Sequence, residues 1–202
     1  TEGELDVIGA ARPSIADPFL PNKIKEGKTD EIRECIGCNV CIARWERCLP
    51  IVCTQNATSG EEFRRGWHPE RFSQAANADN DVLVVGAGPA GMECAIVLAK
   101  RGMRRVHLVE AEDQLGGALR WITRLPGLGE WARVINYRQI QLDKLRNAEV
   151  IESIVPVVTG VPAPMPSSAA AAEVNVPTTP FIGSSGANLS GSSWVAATSS
   201  ST

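Results

Sequence analysis

The clearest pattern of hydrophobic and polar positions lies in residues 81–152. The run Asp81-Val-Leu-Val-Val85 is short and continuously apolar, which is typical of a strand buried on both faces of a sheet. Helical spacing of apolar residues follows over residues 92–101, and Gly102 is expected to end that helix. Residues 106–109 then predict a second strand, so the segment is expected to open with a βαβ unit.

A second helix and a third strand are predicted further along this segment. A helix from about 129 to 146 would place five apolar residues near one face: Trp131, Val134, Ile135, Leu142 and Leu145. The run Ala148-Glu-Val-Ile151 predicts the start of a third strand. The alternation of strands and helices indicates an α/β fold.

The segments before residue 81 carry weaker patterns. The apolar run Asp6-Val-Ile-Gly-Ala-Ala11 has the content of a strand and ends at Arg12-Pro13. A short helix is expected between Pro13 and Gly27, and two further prolines should keep it imperfect. The polar stretch 73–80 has no periodicity and predicts a linker.

Residues 153–202 differ in composition from the rest of the chain. They contain one charged residue, Glu173, among long runs of Ser, Ala, Pro and Thr. Such a sequence buries too little apolar surface to fold, so we expect a low-complexity tail that is disordered.

Charge and composition exclude several classes of function. A net charge of -3 and a pI near 5.5 do not indicate a nucleic-acid partner. The chain has no apolar run of about eighteen residues and no signal peptide at its start, so we expect neither a membrane span nor export. In the cytoplasm that this implies, clustered cysteines are expected to be metal ligands rather than disulfides.

Five of the six cysteines lie in residues 35–53. Structural zinc usually takes two Cys-x2-Cys pairs that are well separated, whereas Cys35, Cys38 and Cys41 follow one another on a single loop. A [4Fe–4S] cluster has four irons that each take one thiolate, and it suits this spacing better than zinc or free thiols do. A chain folded around three corners needs length to return, which favours Cys53 over Cys48 as the fourth ligand.

The remaining sequence features of this region have simpler interpretations. Gly37 would let the backbone approach a cluster closely. If Cys53 is the fourth ligand, Cys48 is expected to be a free thiol that does not bind the cluster. Cys94 lies in the helix predicted after residue 91, where a small buried core residue is the expected role.

A glycine turn follows the first predicted strand of residues 81–152. Gly86, Gly88 and Gly91 match G-x-G-x-x-G between a strand and a helix, the context in which this turn binds a diphosphate at the helix N-terminus. Glu110 ends the next strand, where a carboxylate accepts from ribose hydroxyls and repels a 2′-phosphate. FAD, NAD or ADP is therefore favoured over NADP, and Gly116 and Gly117 offer a further backbone contact. The alternative is a Rossmann-like unit without a ligand.

Arg12 stands where the first apolar run meets a predicted helix. In a TIM barrel, such a junction binds phosphate, which a guanidinium can hold with two hydrogen bonds. A surface arginine with no ligand is the alternative.

Taken together, residues 6–150 resemble the iron–sulfur flavoproteins of the trimethylamine, dimethylamine and histamine dehydrogenase group. The resemblance is carried by GAARPSIADPFLPNKI (9–24), IRECIGCNVCIARWE (32–46), CTQNAT (53–58), RRGWHPERF (64–72), VLVVGAGPAG (82–91) and LPGLGEW (125–131).

The resemblance implies a TIM barrel that binds FMN and oxidises a small amine. It also implies a [4Fe–4S] cluster that accepts the electrons singly, and an electron-transferring flavoprotein that collects them. Arg12 would contact the FMN phosphate, and the cluster ligands would be Cys35, Cys38, Cys41 and Cys53. The nucleotide-binding domain would hold ADP or FAD, and we expect a homodimer.

Two alternatives remain at this point. The 2,4-dienoyl-CoA and enoate reductases share this architecture with FAD and NADPH, but they usually place three residues between the second and third cysteines, where this chain has two. From another class, the chain could be a freestanding electron-carrier or nucleotide-binding module.

The expected domain boundaries follow from these motifs. We expect the end of an FMN barrel in residues 1–30, the cluster segment in 31–72, the linker in 73–80 and an incomplete Rossmann-like domain in 81–152. Relative to the family, the loop from Arg44 to Cys53 is one residue shorter, and most of the barrel precedes Thr1. We therefore expect a fragment that does not oxidise an amine by itself, with a tail (153–202) that is disordered or frame-shifted.

Overall fold

The computed structural model describes residues 6–153, which form two compact units. The first unit contains the chain up to Ser73 together with Trp121–Gln141. The second contains Gln74–Arg120 and the chain from Leu142 onward. The prediction of a disordered or frame-shifted tail concerns residues that lie, apart from Ser153, outside the described part of the chain.

Short helices dominate the first unit. They are α1 (Ala11–Ala16), α2 (Leu20–Lys25), α3 (Val40–Glu46) and α4 (Glu62–Arg65), with 3-10 turns at Thr29–Glu31 and Gly129–Trp131. Asp17 is extended (φ -136°, ψ 97°) between α1 and α2 because it precedes Pro18, whose ring disfavours a helical neighbour. The single imperfect helix expected between residues 13 and 27 is therefore two helices.

The strand expected at residues 6–11 is not formed, and that prediction was wrong. Residues 7–10 have no regular structure, and Val7 and Ile8 are 84% and 78% exposed. A strand needs a neighbour for its backbone N–H and C=O groups, and the sheet of residues 6–153 contains only three strands, all from other segments. Arg12 and Pro13 instead lie in the first turn of α1, where the N–H that proline lacks would have no helical acceptor.

The second unit is a three-stranded parallel sheet with one long helix. Strands β1 (Asp81–Val85), β2 (Arg105–Val109) and β3 (Ala148–Ile151) lie in the order β1-β2-β3. Val82 pairs with Val106, and Val106 with Ala148. The predicted α/β class and all three strands of this segment are thus confirmed.

Helix α5 (Pro89–Lys100) connects β1 to β2 and buries its apolar side against them. It begins three residues earlier than the pattern predicts, because proline is favoured in the first turn of a helix. The core of this unit is formed by fully buried side chains: Val82, Val84, Met92, Ala95, Val106 and Leu108.

Two predicted segments have a more detailed structure than expected. The helix predicted from about 129 to 146 is a 3-10 turn followed by α7 (Ala132–Asp143), and a one-turn helix α6 (Leu119–Ile122) precedes it. Within the polar stretch 73–80, residues from Gln74 onward belong to the second unit, where they form turns. There, Ala75 N–H donates to Arg101 C=O (2.9 Å), and Arg104 N–H donates to Ala78 C=O (2.7 Å). Of the helices in residues 6–153, none has the length and apolarity needed to cross a bilayer.

Candidate functional site

Four cysteines of the first unit line one pocket, which we call the cysteine pocket. They are Cys35, Cys38, Cys41 and Cys53. Cys48 does not line this pocket and is exposed to solvent. The structure therefore brings together the four thiols that sequence reasoning assigned to a cluster and separates them from the fifth.

The local backbone explains how three of these thiols reach one pocket. Gly37 and Asn39 both adopt left-handed conformations, with φ of +68° and +57°. These residues turn the chain between Cys35 and Cys41, and α3 begins directly afterwards at Val40. Cys41 thus lies buried in the first turn of α3, while the turn itself carries Cys38.

Backbone N–H donors are directed at two of the sulfur atoms, and a hydroxyl contacts a third. Gly37 N–H donates to Cys35 Sγ (3.4 Å) and Gln55 N–H donates to Cys53 Sγ (3.4 Å). Thr54 Oγ1 lies 3.1 Å from Cys38 Sγ. Such donors stabilise negative charge on sulfur and influence the potential of a metal group that the sulfur binds.

Burial raises the pKa of the Cys53 thiol, and the nearby thiols of Cys38 and Cys35 raise it further. Backbone N–H groups of Gln55 and Asn56 oppose this by lowering the pKa. The raised pKa means that Cys53 is protonated at neutral pH without a bound cation. Ligation would deprotonate it, as metal binding to cysteine requires.

The donor set determines which group the cysteine pocket suits. Within residues 6–153, no three His, Cys, Asp or Glu side chains are grouped so that they could hold one metal ion. A [4Fe–4S] cluster instead takes one thiolate for each of its four irons. Four thiols line one pocket, and N–H groups of other residues donate to the sulfurs of Cys35 and Cys53. This arrangement fits the requirement of a [4Fe–4S] cluster.

Arg12 also lines the cysteine pocket. Its guanidinium is exposed and donates to Asn39 Oδ1, which belongs to the turn between Cys38 and α3. The contact places the first turn of α1 beside residues 35–53, which we call the cysteine segment. The role of Arg12 as a phosphate ligand stays a prediction.

The glycine turn of the second unit packs as closely as its sequence requires. Gly86 has φ of +91°, and its N–H donates to Val109 C=O (2.8 Å). A Cβ on Gly91 would lie 1.9 Å from the Gly86 carbonyl oxygen, so only glycine fits there. Gly88 caps the N-terminus of α5, which begins at Pro89.

Glu110 and the second pair of glycines surround this turn. The Glu110 carboxylate accepts from Ala87 N–H (2.6 Å) and from Ala111 N–H (2.9 Å). Gly116 N–H donates to Ala87 C=O (2.8 Å), and a Cβ on Gly117 would lie 3.3 Å from Gly88 Cα. All six residues predicted for the nucleotide site are thus neighbours around the N-terminus of α5.

Sequence reasoning missed two buried polar residues next to Cys53. Gln55 and Asn56 are 1% and 3% exposed, and Asn56 Nδ2 donates to Ile15 C=O (3.1 Å). Their signal in the sequence is a run of three polar residues after Cys53, which hydrophobic patterning alone assigns to the surface. Cys94, expected in the core, is only half-buried, and burial raises the pKa of its thiol.

Comparison with known proteins places the chain among flavoproteins. Residues 81–122 match the FAD binding domain family. The chain is 62% identical over 144 residues to dimethylamine dehydrogenase of Hyphomicrobium sp. (strain x), an alignment that covers 71% of this chain.

Two solved structures are similar in both fold and sequence. The histamine dehydrogenase from Rhizobium sp. 4-9 matches with a TM-score of 0.71 at 52% identity over 75% of this chain. The 6-hydroxypseudooxynicotine amine oxidase from Pseudomonas geniculata N1 matches with a TM-score of 0.72 at 51% identity, also over 75%.

These relatives are much longer than the chain. It spans 19% of the dimethylamine dehydrogenase, 22% of the histamine dehydrogenase and 23% of the amine oxidase. Sequence identity above one half over most of residues 6–153, together with the shared fold, shows common descent with these enzymes. The chain belongs to the amine dehydrogenase family of iron–sulfur flavoproteins.

Proposed function

We propose that the chain is part of an amine-oxidising flavoprotein and that its cysteine pocket binds a [4Fe–4S] cluster. The observation that carries this proposal is the grouping of Cys35, Cys38, Cys41 and Cys53 around one pocket, with Cys48 outside it. When bound, such a cluster supplies a one-electron redox centre.

The residues of the chain have separate tasks in this proposal. The four thiolates bind the irons, and the N–H groups of Gly37 and Gln55 stabilise the charge on two of the sulfurs. Asn39 holds the turn that carries Cys38, and Arg12 donates to its side chain. The protein thus positions and tunes the group rather than forming covalent intermediates with a substrate.

The wider activity rests on the relatives. Dimethylamine dehydrogenase and histamine dehydrogenase are named for amine substrates, so a small amine is the proposed electron donor. We extend this to FMN in a TIM barrel with Arg12 at its phosphate, an electron-transferring flavoprotein as acceptor, a homodimer and a cytoplasmic location. The 2,4-dienoyl-CoA reductase alternative is less well supported, because the relatives at 51–62% identity act on amines.

The second unit is proposed to bind ADP or FAD as the first part of a Rossmann-like domain. The match to the FAD binding domain family spans residues 81–122, a range that includes both the glycine turn and Glu110. The N–H groups at the start of α5 would bind the diphosphate, and Glu110 the ribose hydroxyls.

The cluster proposal is tested by anaerobic expression of the full chain. We expect about four irons and four labile sulfides per chain, and an EPR signal after reduction with dithionite. Cys53→Ser should lose most of the iron and the signal, because it removes one of the four ligands.

Cys48→Ser is the matched control, since it removes an exposed thiol from the same loop. It should leave the iron content and the spectrum unchanged. Zinc without labile sulfide in the wild-type chain would contradict the proposal, as would equal losses in the two variants.

A further inference from the structure

Gln55 joins the two ends of the cysteine segment. Its backbone N–H donates to Cys53 Sγ, while its side-chain Nε2 donates to the carbonyl oxygen of Glu34 (3.2 Å), the residue before Cys35. The side chain is 1% exposed and lines the cysteine pocket. One amide side chain thereby connects the first and the last of the proposed ligands.

The remaining acceptor of Gln55 is used by a charged group. Arg138, on α7, donates from Nη1 to Gln55 Oε1 (2.9 Å) and to Val134 C=O (3.0 Å). Arg138 is 4% exposed, and an arginine side chain stays protonated at any physiological pH. A positive charge is therefore buried one side chain away from the cysteine pocket.

A second buried cation lies in the same unit. Arg33, two residues before Cys35, is 5% exposed and lies over the ring of Tyr137, 5.1 Å from its centroid. In the described part of the chain its Nε and Nη1 atoms make no hydrogen bond. Burying charged donors is costly unless negative charge offsets them, and four deprotonated cysteines would provide it.

We propose that Arg138, acting through Gln55, is a positioning residue for the loop that carries Cys53. The positive charge of Arg138 also raises the reduction potential of the iron–sulfur site. The inference rests on the proposed function. Reduction adds negative charge to a site that already carries four thiolates, so a buried cation nearby favours the reduced form.

The test is an EPR-monitored redox titration of the full chain loaded with its cluster. We expect Arg138→Met to make reduction about tenfold less favourable, a midpoint potential about 59 mV lower for a one-electron step. Arg138→Lys keeps the positive charge and should retain most of the wild-type potential.

Arg133→Met is the matched control. It removes the same charge from α7, but Arg133 is 39% exposed and pairs with Glu130 and Glu34 on the surface. Solvent screens such a charge, so its loss should leave the potential unchanged. An equal shift in Arg133→Met and Arg138→Met would overturn the specific role of Arg138.

Gln55→Glu provides a second variant if Arg138→Met does not fold. It is nearly isosteric and sets a negative charge against Arg138, so it should also lower the potential. A wild-type potential in this variant would overturn the proposal. Failure of the wild-type chain to bind iron and sulfide would instead contradict the proposed function. The failure of the Arg138 proposal can therefore be told apart from the failure of the proposed function.

Discussion

At the scale of single residues, Lys23 shows how a buried charge is held by three acceptors. It is 8% exposed, and its ammonium donates to Asp17 Oδ2 (2.7 Å), to Glu70 Oε1 (2.9 Å) and to Glu31 C=O (2.9 Å). Asp17 is fully buried and also accepts from Arg33 N–H (2.9 Å). The network ties α2 and the end of α1 to the start of the cysteine segment.

The charge state of Lys23 follows from these neighbours. Burial by itself would lower the pKa of Lys23, but the hydrogen bonds and charges of Asp17 and Glu70 outweigh it and raise the pKa above 10.5. Because the pKa of Lys23 is raised in the folded state, its contacts contribute their full stabilisation at neutral pH. That contribution is lost only as the pH rises through the raised pKa.

We expect Lys23→Met to reduce the free energy of unfolding by about 3–5 kcal/mol. The substitution leaves the buried Asp17 carboxylate without its cation, and an uncompensated buried charge is strongly destabilising. Urea unfolding of the full chain, followed by circular dichroism, measures the change.

Lys28→Met is the control for that measurement. Lys28 forms an ion pair of the same length with Glu26 (2.7 Å), but both side chains are about half exposed. Solvent screens an exposed pair, so the variant should unfold almost as the wild type does. If Lys23→Met and Lys28→Met reduced the free energy of unfolding equally, burial would not explain the contribution of the Lys23 contacts.

At the scale of elements, the contact between β1 and α5 depends on Gly91. This residue lies in the first turn of α5, directly against the carbonyl oxygen of Gly86. The closeness allows the helix to begin just after the strand ends, and the Ala87 N–H of the intervening turn donates to Glu110.

Gly91→Ala should reduce the free energy of unfolding by about 1–3 kcal/mol or more. Its Cβ would meet a backbone atom that cannot rotate away, so α5 must move off the sheet. Thermal or urea unfolding of the full chain measures this loss.

Gly129→Ala is a suitable comparison for Gly91→Ala. A Cβ at Gly129 has no neighbour within 4 Å, so the substitution should be neutral or slightly stabilising. Similar stability of the two variants would show that the close approach of α5 to β1 contributes little.

At the scale of the whole molecule, the chain carries two proposed sites, one in each unit. The cysteine pocket belongs to the first unit and the glycine turn to the second. A ligand that binds the folded state stabilises it by an amount that grows with the logarithm of its concentration relative to Kd, so each proposed site can be detected separately by its own ligand.

ADP is expected to raise the melting temperature of the full chain. A concentration 100 times the Kd corresponds to about 2.7 kcal/mol of added stability. NADP should have a much smaller effect, because its 2′-phosphate would meet the Glu110 carboxylate. Differential scanning calorimetry with each nucleotide measures both shifts.

Glu110→Gln tests the basis of that selectivity. It removes the negative charge and weakens the bonds to Ala87 N–H and Ala111 N–H, so ADP should stabilise the variant less. A melting temperature that rises equally with ADP and NADP in the wild-type chain would contradict the assignment of Glu110.

Features that depend only on neighbouring residues could be predicted from local pattern. β1 and β3 have the predicted limits, and the spacing of Cys35, Cys38 and Cys41 indicated three thiols on one turn. A buried strand and a helix each impose a short repeat on neighbouring residues, so composition and spacing are sufficient to recognise them.

The burial of polar residues and the identity of their partners follow from tertiary contacts and not from local pattern. Lys23 meets Glu70 across 47 positions, and Gln55 meets Arg138 across 83. The apolar run at residues 6–11 is not a strand, because no neighbouring strand pairs with it in the described chain. A partner distant in sequence leaves no local pattern, and it alone determines whether a buried charge or an unpaired strand is stable.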